Sequence, residues 1–339
     1  MTRFHTVFIE EDLKNHPVVH QCVSRLSYRS LVYIDSYQRH FYRIQKPYLK
    51  KREKLNLFLA RKKGDLVKVA PDSYGRSGDF HYYYVHFYNC IYECQYCYLQ
   101  GYFKSPDLVA FVNYEDIIQQ MQLIVQKHVS SSTSGRVWFH GGEFSDSLAL
   151  SSLISEIPYL YPFFKSEPQA LWELRTKSVH VNHLKKFTPL PNWFISFSLS
   201  PPSLASSLEL RVPSPHLRIK AMKQLMEYGY QLGLHLDPVT YVNDFENHYC
   251  QLFTELASER LLPNIQYISL GVVRFSKEVG EQVQRNYPDS LIFQHPMVLA
   301  RSGKLRYPKL LREEILLRLY RLLLDFGVDP QRIYFCMEN

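Results

Sequence analysis

The chain has 339 residues, 46% of them hydrophobic and 21% charged, with a formal net charge of +8 and a pI near 9.0. That length holds one large domain with appendages or two smaller ones, no apolar run is long enough to span a bilayer, and residues 1–14 lack the apolar middle and cleavage site of a signal peptide, so the expectation is a cytoplasmic protein with no membrane role. Six cysteines, half of them clustered, exclude a disulfide scaffold, and the basic excess favours a polyanionic partner.

In chain order, the pattern predicts a helix over residues 10–26. A basic stretch follows, holding Arg43, Lys46, Lys50, Lys51, Arg52, Lys54, Arg61, Lys62, Lys63 and Lys68, interleaved with Tyr42, Tyr48 and Phe58. Cations neutralise phosphates and aromatic faces stack bases, so the mixture suits nucleic acid; a solvated face on a basic protein is the equal alternative. Residues 55–60 and 66–70, around Lys63, Gly64 and Asp65, read as a hairpin. Strand patterns at 82–87, 136–139, 171–175, 193–198, 231–236 and 267–272 alternate with helical patterns at 114–128, 148–157, 181–186, 215–228 and 246–260. Such alternation implies parallel βαβ units. The fold class is therefore α/β, a partial (β/α)6 TIM-type barrel with its site at the strand C-termini. Residues 297–307 read as two short strands around Ser302 and Gly303, and 310–326 as a core helix. The chain divides into a basic N-terminal extension (1–75), the barrel (76–290), and a C-terminal hairpin and helix (291–339) that would contact nucleic acid.

Cys90, Cys94 and Cys97 follow the first predicted strand with the spacing CxxxCxxC. Three thiolates can hold three irons of a 4Fe-4S cubane and leave one iron open to a small molecule. A zinc site and a ferredoxin-like electron carrier are the plainer alternatives. Zinc, however, favours paired CxxC knuckles, and Cys22, Cys250 and Cys336 stand apart in sequence. Arg301, Lys304 and Arg306 flank the C-terminal turn, where they can meet phosphates, unless this is an ordinary solvated hairpin. His235 and Asp237 near a strand end read as a structural pair, and Cys22 and Cys250 as small apolar packing.

With Tyr96 as its aromatic residue, the cysteine motif resembles the signature of radical S-adenosylmethionine enzymes. Within that class, residues 94–100, 114–117, 176–177, 181–184, 197–200, 274–277 and 287–288, with Gly303, Lys304 and Tyr307 and the closing 336–338, resemble the spore photoproduct lyase family from about residue 55 to the end. The resemblance implies that Cys90, Cys94 and Cys97 hold a 4Fe-4S cluster. It implies that S-adenosyl-L-methionine chelates the open iron and yields a 5′-deoxyadenosyl radical, with electrons from a donor such as flavodoxin or ferredoxin. By the same resemblance Tyr96 packs by the adenine, Lys177 and Ser198 bind the methionyl carboxylate or ribose, and Gly303, Lys304 and Tyr307 lie in the hairpin where the family engages DNA, the turn that Arg301 and Arg306 flank. Taken singly, Lys177 also reads as a surface lysine and Ser198 as a strand-end hydroxyl.

One position departs from the family. The resemblance implies hydrogen abstraction from a thymine dimer in spore DNA, and quenching of the thymine radical by a cysteine thiol on the loop after the second strand. Glu143 occupies that position here, and a carboxylate has no weak S–H bond to offer. Gly141, Gly142 and Glu143 instead resemble the GGE element of other radical S-adenosylmethionine enzymes, whose glycines admit close backbone approach and whose carboxylate accepts from the methionine amino group. Three functions stay open: a DNA-lesion lyase using Tyr98 or Cys336 as donor, a radical enzyme acting on a modified base or other nucleic acid, and a noncatalytic iron–sulfur protein that binds nucleic acid.

Overall fold

The computed structural model describes residues 3–41, 48–49, 54–71, 74–75, 78–130 and 135–338. Its centre is an eight-stranded sheet in the order Ile333–Phe335, Ile265–Val272, Gln231–Val239, Trp193–Ser198, Ala170–Thr176, Val137–Gly141, Phe80–Tyr84 and Val67–Val69. Each neighbouring pair is parallel except the edge strand Val67–Val69, which runs antiparallel to Phe80–Tyr84. Val137–Gly141 is buried at every position, and Ala170–Thr176 and Trp193–Ser198 at all but one. Such near-continuous burial is what a parallel sheet covered on both faces requires. The partial barrel expected from the sequence is present, extended by one further parallel strand at Ile333–Phe335.

The helices that cover the sheet begin and end on chemical cues. Pro215–Tyr228 starts where the Ser214 hydroxyl accepts from the Leu217 N–H, and stops at Gly229, whose φ of 98° suits glycine. Phe245–Ser258 and Tyr114–Ser130 match the predicted segments closely, while residues 181–186 form a 3-10 turn, Asn182–Lys186. Aromatic stacking fills the space between layers: Trp172 lies 4.6 Å from Phe164 and 4.7 Å from Trp193, ring centre to ring centre. Stacked aromatic pairs add to the area they remove from water.

Three further predicted elements are corrected. The helix expected over 148–157 is a series of turns, and the helix begins only at Ile157–Ser166. The cause is local capture of backbone groups: the Asp146 carboxylate accepts from the N–H of Leu148 at 3.0 Å and of Ala149 at 2.8 Å, and the Ser151 hydroxyl donates to the Leu148 carbonyl. Such bonds compete with a helix, whereas Pro158 suits a first turn. The helix expected over 10–26 is instead the strand Arg3–Glu10, a short 3-10 turn and the helix Pro17–Arg25. Pro17 holds His16 extended and so sets the boundary.

The hairpin expected at 55–70 does not form. Leu57–Ala60 is buried on both faces and lies between Arg3–Glu10 and Leu108–Phe111 in a second, five-stranded sheet. Val67–Val69 crosses to the barrel edge, where the Gln120 carboxamide oxygen takes the N–H groups of Leu66 and Val67. A third, antiparallel sheet joins Arg274–Ser276 to Lys304–Arg306 and Val298–Leu299, with Gly303 at φ 75° in the turn. The helix Lys309–Asp325 then returns the chain to the last barrel strand.

Candidate functional site

The cysteine loop leaves the first barrel strand and is fastened at several points. Asn89, in a left-handed conformation, donates from its side chain to the carbonyls of Ser105 and Asp107, both at 2.7 Å, and so ties the two ends of the excursion. Glu93–Cys94 forms a two-residue ladder with Glu209–Leu210, and the Gln95 N–H donates to the Leu208 carbonyl at 2.7 Å. Within the loop, the Tyr92 N–H points at the Cys90 sulfur, 3.4 Å away. A loop held at this many places sets three thiols in one fixed arrangement.

Cys90, Cys94 and Cys97 line a cavity of about 620 Å3 at the C-terminal ends of the barrel strands. That is within the roughly 300–1,000 Å3 range of small-molecule sites, at the end of the fold where barrels build their chemistry. Tyr96, Tyr98, Gly142, Glu143, Lys177, Lys304 and Cys336 share its wall. The fold thus brings these separate segments of the sequence to one space.

Each wall residue is held by a partner behind it. Tyr96 donates its hydroxyl to Glu209, which also takes Arg218 and Ser200, so the phenol is anchored and its ring is left as wall. The Lys177 ammonium stands 5.4 Å from that ring, a cation–π distance. Its backbone N–H donates to Asp146 at 2.6 Å. Tyr98 donates to the backbone carbonyl of Glu143, and Tyr74 donates to the Glu143 carboxylate. Burial, then the nearby Glu143 charge, raises the Tyr98 phenol well above its ordinary value, so it stays protonated.

The glycine turn has a steric explanation. A Cβ on Gly141 would come within 2.7 Å of the Tyr84 hydroxyl, and one on Gly142 within 2.8 Å of the Ser147 hydroxyl and 3.1 Å of the Arg175 carbonyl. Gly142 also has φ of 90°, a region other residues avoid. Gly142 reaches the cavity wall; Gly141 lies beneath it at the strand end.

Several sequence-predicted residues fall elsewhere. Ser198 is not part of the cavity wall, and its carbonyl accepts from Arg218 at 2.7 Å. Arg306 and Tyr307 are only 3% and 0% exposed, which removes them from direct contact with a duplex. The reason is charge pairing and packing: Arg306 meets the Glu338 carboxylate at 2.5 Å, and the Tyr307 hydroxyl donates to the Ile292 carbonyl. Arg301 and Lys304 remain exposed on the turn. Of the basic N-terminal stretch, Tyr42, Arg43, Lys46, Lys50, Lys51 and Arg52 lie outside the described residues. Tyr48 and Phe58 are buried rather than available for stacking, Tyr48 close to Cys90, Cys94 and Cys97 and Phe58 against Phe8.

His235 and Asp237 are not a pair. His235 points into the barrel and bonds Glu173 at 2.8 Å, whereas Asp237 turns to the cavity and pairs with Arg274 at 3.2 Å. Asp146, Arg175, Asp237 and Arg274, all on the cavity wall, were missed as site residues by sequence reasoning. Their shared signal is position: Arg175 and Asp237 end barrel strands, and Arg274 follows one, where barrel sites collect side chains.

The donor set suits a cluster with a soft metal: thiolates favour iron–sulfur centres, zinc or copper(I). Among the described residues, no three such side chains converge closely enough for one metal ion; a cubane spreads its sulfur ligands over three separate irons. Lys177 presents a cation and Glu143 a carboxylate to the cavity, groups able to meet a ligand's anion and its cation.

The family model for spore photoproduct lyase matches residues 80–306. Among curated relatives, the spore photoproduct lyase of Geobacillus sp. (strain Y412MC61) is 25% identical over 202 residues, covering 59% of this chain and 58% of the relative. That of Bacillus subtilis (strain 168) is 25% identical over 204 residues, with 59% and 58% covered. The chain thus matches less than two thirds of the length of these relatives. A solved spore photoproduct lyase complexed with dinucleoside spore photoproduct superposes with a TM-score of 0.79 at 19% identity, covering 98% of each chain. A variant solved with bound AdoMet and dinucleoside spore photoproduct gives 0.77 with the same identity and coverage. The match extends over more than half of the chain and brackets the cysteine loop, the glycine turn and the antiparallel C-terminal sheet, so the chain belongs to the spore photoproduct lyase family.

Proposed function

We propose that the protein is a radical S-adenosylmethionine enzyme that acts on a thymine photoproduct or related lesion in DNA. The observation that carries this is the single cavity in which the cysteine loop, the glycine turn, Lys177 and the cationic Arg175, Arg274 and Lys304 all face one space. Cys90, Cys94 and Cys97 would hold a 4Fe-4S cluster. Tyr96, Gly142, Glu143 and Lys177 would hold S-adenosyl-L-methionine, with the ammonium on its carboxylate and Glu143 on its amino group. When bound, this pair supplies a carbon-centred radical able to abstract hydrogen, given one electron from a donor such as flavodoxin or ferredoxin.

The protein's own residues then position and confine the reaction. Arg274 and Lys304 lie on the side of the cavity formed by the antiparallel C-terminal sheet, where cations can meet the phosphodiester of a dinucleotide. Arg301 on the same turn would extend that contact along the strand. The lesion complex solved for a relative with the same fold supports a dinucleotide as the unit bound.

A second reading has its own support in Glu143. A carboxylate at the position expected for a hydrogen-donating cysteine fits a radical enzyme with another nucleic-acid substrate, such as a modified base. Anaerobic reconstitution followed by chromatography for 5′-deoxyadenosine separates the two. Stimulation by ultraviolet-irradiated DNA, with loss of the photoproduct, supports the lyase; 5′-deoxyadenosine indifferent to lesions supports the other substrate. A protein that leaves S-adenosylmethionine whole contradicts both.

A further inference from the structure

We propose that Cys336 is the hydrogen donor that quenches the substrate radical, in place of the thiol that Glu143 displaces. This rests on the lyase reading above. Among the described thiols, Cys22 is packed in the core and Cys250 lies on the outer helix Phe245–Ser258, and the three loop cysteines are committed to the cluster. Cys336 alone lines the cavity from another wall, across from the cysteine loop.

Its placement follows from the last barrel strand. The Cys336 N–H donates to the Leu270 carbonyl at 2.7 Å, which carries the ladder one residue past Ile333–Phe335 and leaves the side chain at the strand mouth. The next residues are clamped. The Glu338 carboxylate takes the Val272 N–H at 3.0 Å, Arg312 at 3.1 Å and Arg306 at 2.5 Å. Met337, in a left-handed conformation, puts its sulfur 3.2 Å from Arg274. Glu338 is therefore a positioning residue for the thiol.

The surroundings keep the sulfur protonated. The sulfur lies beside the Arg274–Asp237 pair, 3.8 Å from the Arg274 guanidinium, which holds the Asp237 carboxylate at 3.2 and 3.3 Å. Burial first, and the Asp237 charge next, push the Cys336 pKa up to about 12. A group that must give a hydrogen atom needs its S–H bond intact at neutral pH. The phenols nearest the glycine turn, Tyr98 and Tyr74, spend their hydroxyls on the Glu143 carbonyl and carboxylate.

The step balances simply. One hydrogen atom passes from Cys336 to the carbon radical of the fragmented lesion: a C–H bond forms, the S–H bond breaks and a sulfur-centred radical remains. A small-molecule thiol reductant returns it to the thiol by giving one hydrogen atom of its own.

One experiment with two readouts, product deuterium and iron content, tests the assignment. In deuterated buffer the wild type should place one deuterium in the repaired thymine. Cys336→Ser should keep its iron and its lesion-dependent 5′-deoxyadenosine, yet lose that deuterium and yield unquenched products. If Cys336→Ser repairs with deuterium as the wild type does, the donor lies elsewhere and the lyase reading stands. If it loses its iron, Cys336 is a cluster ligand and the proposal fails. A wild type that leaves the photoproduct whole overturns the lyase reading and the donor role with it.

Discussion

The inside of the barrel and the cavity above it use the same residue types to opposite ends. Inside, the buried Glu173 carboxylate is surrounded by Arg175 at 2.9 Å, Ser196 at 2.7 Å, His235 at 2.8 Å, His140 and Tyr267. Burial works to raise its pKa, and the Arg175 charge, then His140, holds it well below the carboxylate range instead. At the mouth, Lys177 has the Tyr96 face and no carboxylate within ion-pair distance among the described residues, and Lys304 lines open space, while Arg274 reaches the cavity already paired with Asp237. A polar group surrounded by partners fixes structure, whereas one aimed into a cavity is available to a ligand. Arg175 joins the two: it bonds Glu173 below and lies 4.3 Å from the Tyr74 ring at the cavity wall.

The comparison breaks most visibly at Glu173. Glu173→Gln should cost about 3–5 kcal/mol of unfolding free energy, because it leaves the Arg175 charge buried without its partner; chemical denaturation measures this. A loss below about 1 kcal/mol would mean the interior cluster is not a structural floor. At the opposite edge of the barrel, Glu338→Gln should cost about 2–4 kcal/mol by the same cause, since Arg306 and Arg312 lose their shared carboxylate. It should also speed alkylation of Cys336.

Acid sharpens the same contrast. Burial pushes the His140 pKa down from 6.5 to about 3 despite the Glu173 charge. The unfolded chain takes up a proton at this site below pH 6.5 and the folded chain does not until about 3, so its contribution is complete above 6.5 and is lost between 6.5 and 3. The lowered Glu173 pKa acts in the same direction from its ordinary 4.5 downward. Unfolding free energy should therefore fall steadily on acidification through that window, and a flat profile would contradict the buried, neutral His140. The smallest effect belongs to the exposed turn. Arg301→Ala and Lys304→Ala should leave stability unchanged, weaken DNA binding and each reduce the slope of log affinity against log salt by about 1. Arg306→Ala should instead destabilise the fold.

The barrel was readable because strand and helix patterns alternate with few interruptions from residue 80 onward, and the cysteine spacing located the mouth. What escaped the sequence depended on partners far away in the chain. Nothing near residue 306 announces that Glu338 will bury Arg306, and nothing in residues 55–70 announces that Leu57–Ala60 will find Arg3–Glu10 and Leu108–Phe111 rather than each other's neighbours. The false helix at 148–157 had the right apolar spacing, but the Asp146 carboxylate took its first N–H groups. Asp237 and His235, two residues apart on one strand, share a face by the alternation of a β-strand; what separates them is depth along the strand, His235 bonding Glu173 in the floor while Asp237, past the register shift that follows Leu236, reaches the cavity.

The account stands most directly on the metal content and cofactor chemistry of protein reconstituted without oxygen. About four irons per chain and release of 5′-deoxyadenosine after dithionite reduction are the expected result, both lost in Cys90→Ala, Cys94→Ala and Cys97→Ala while the variants stay folded. Bound zinc in place of iron, or an iron centre that leaves S-adenosylmethionine intact, would contradict it.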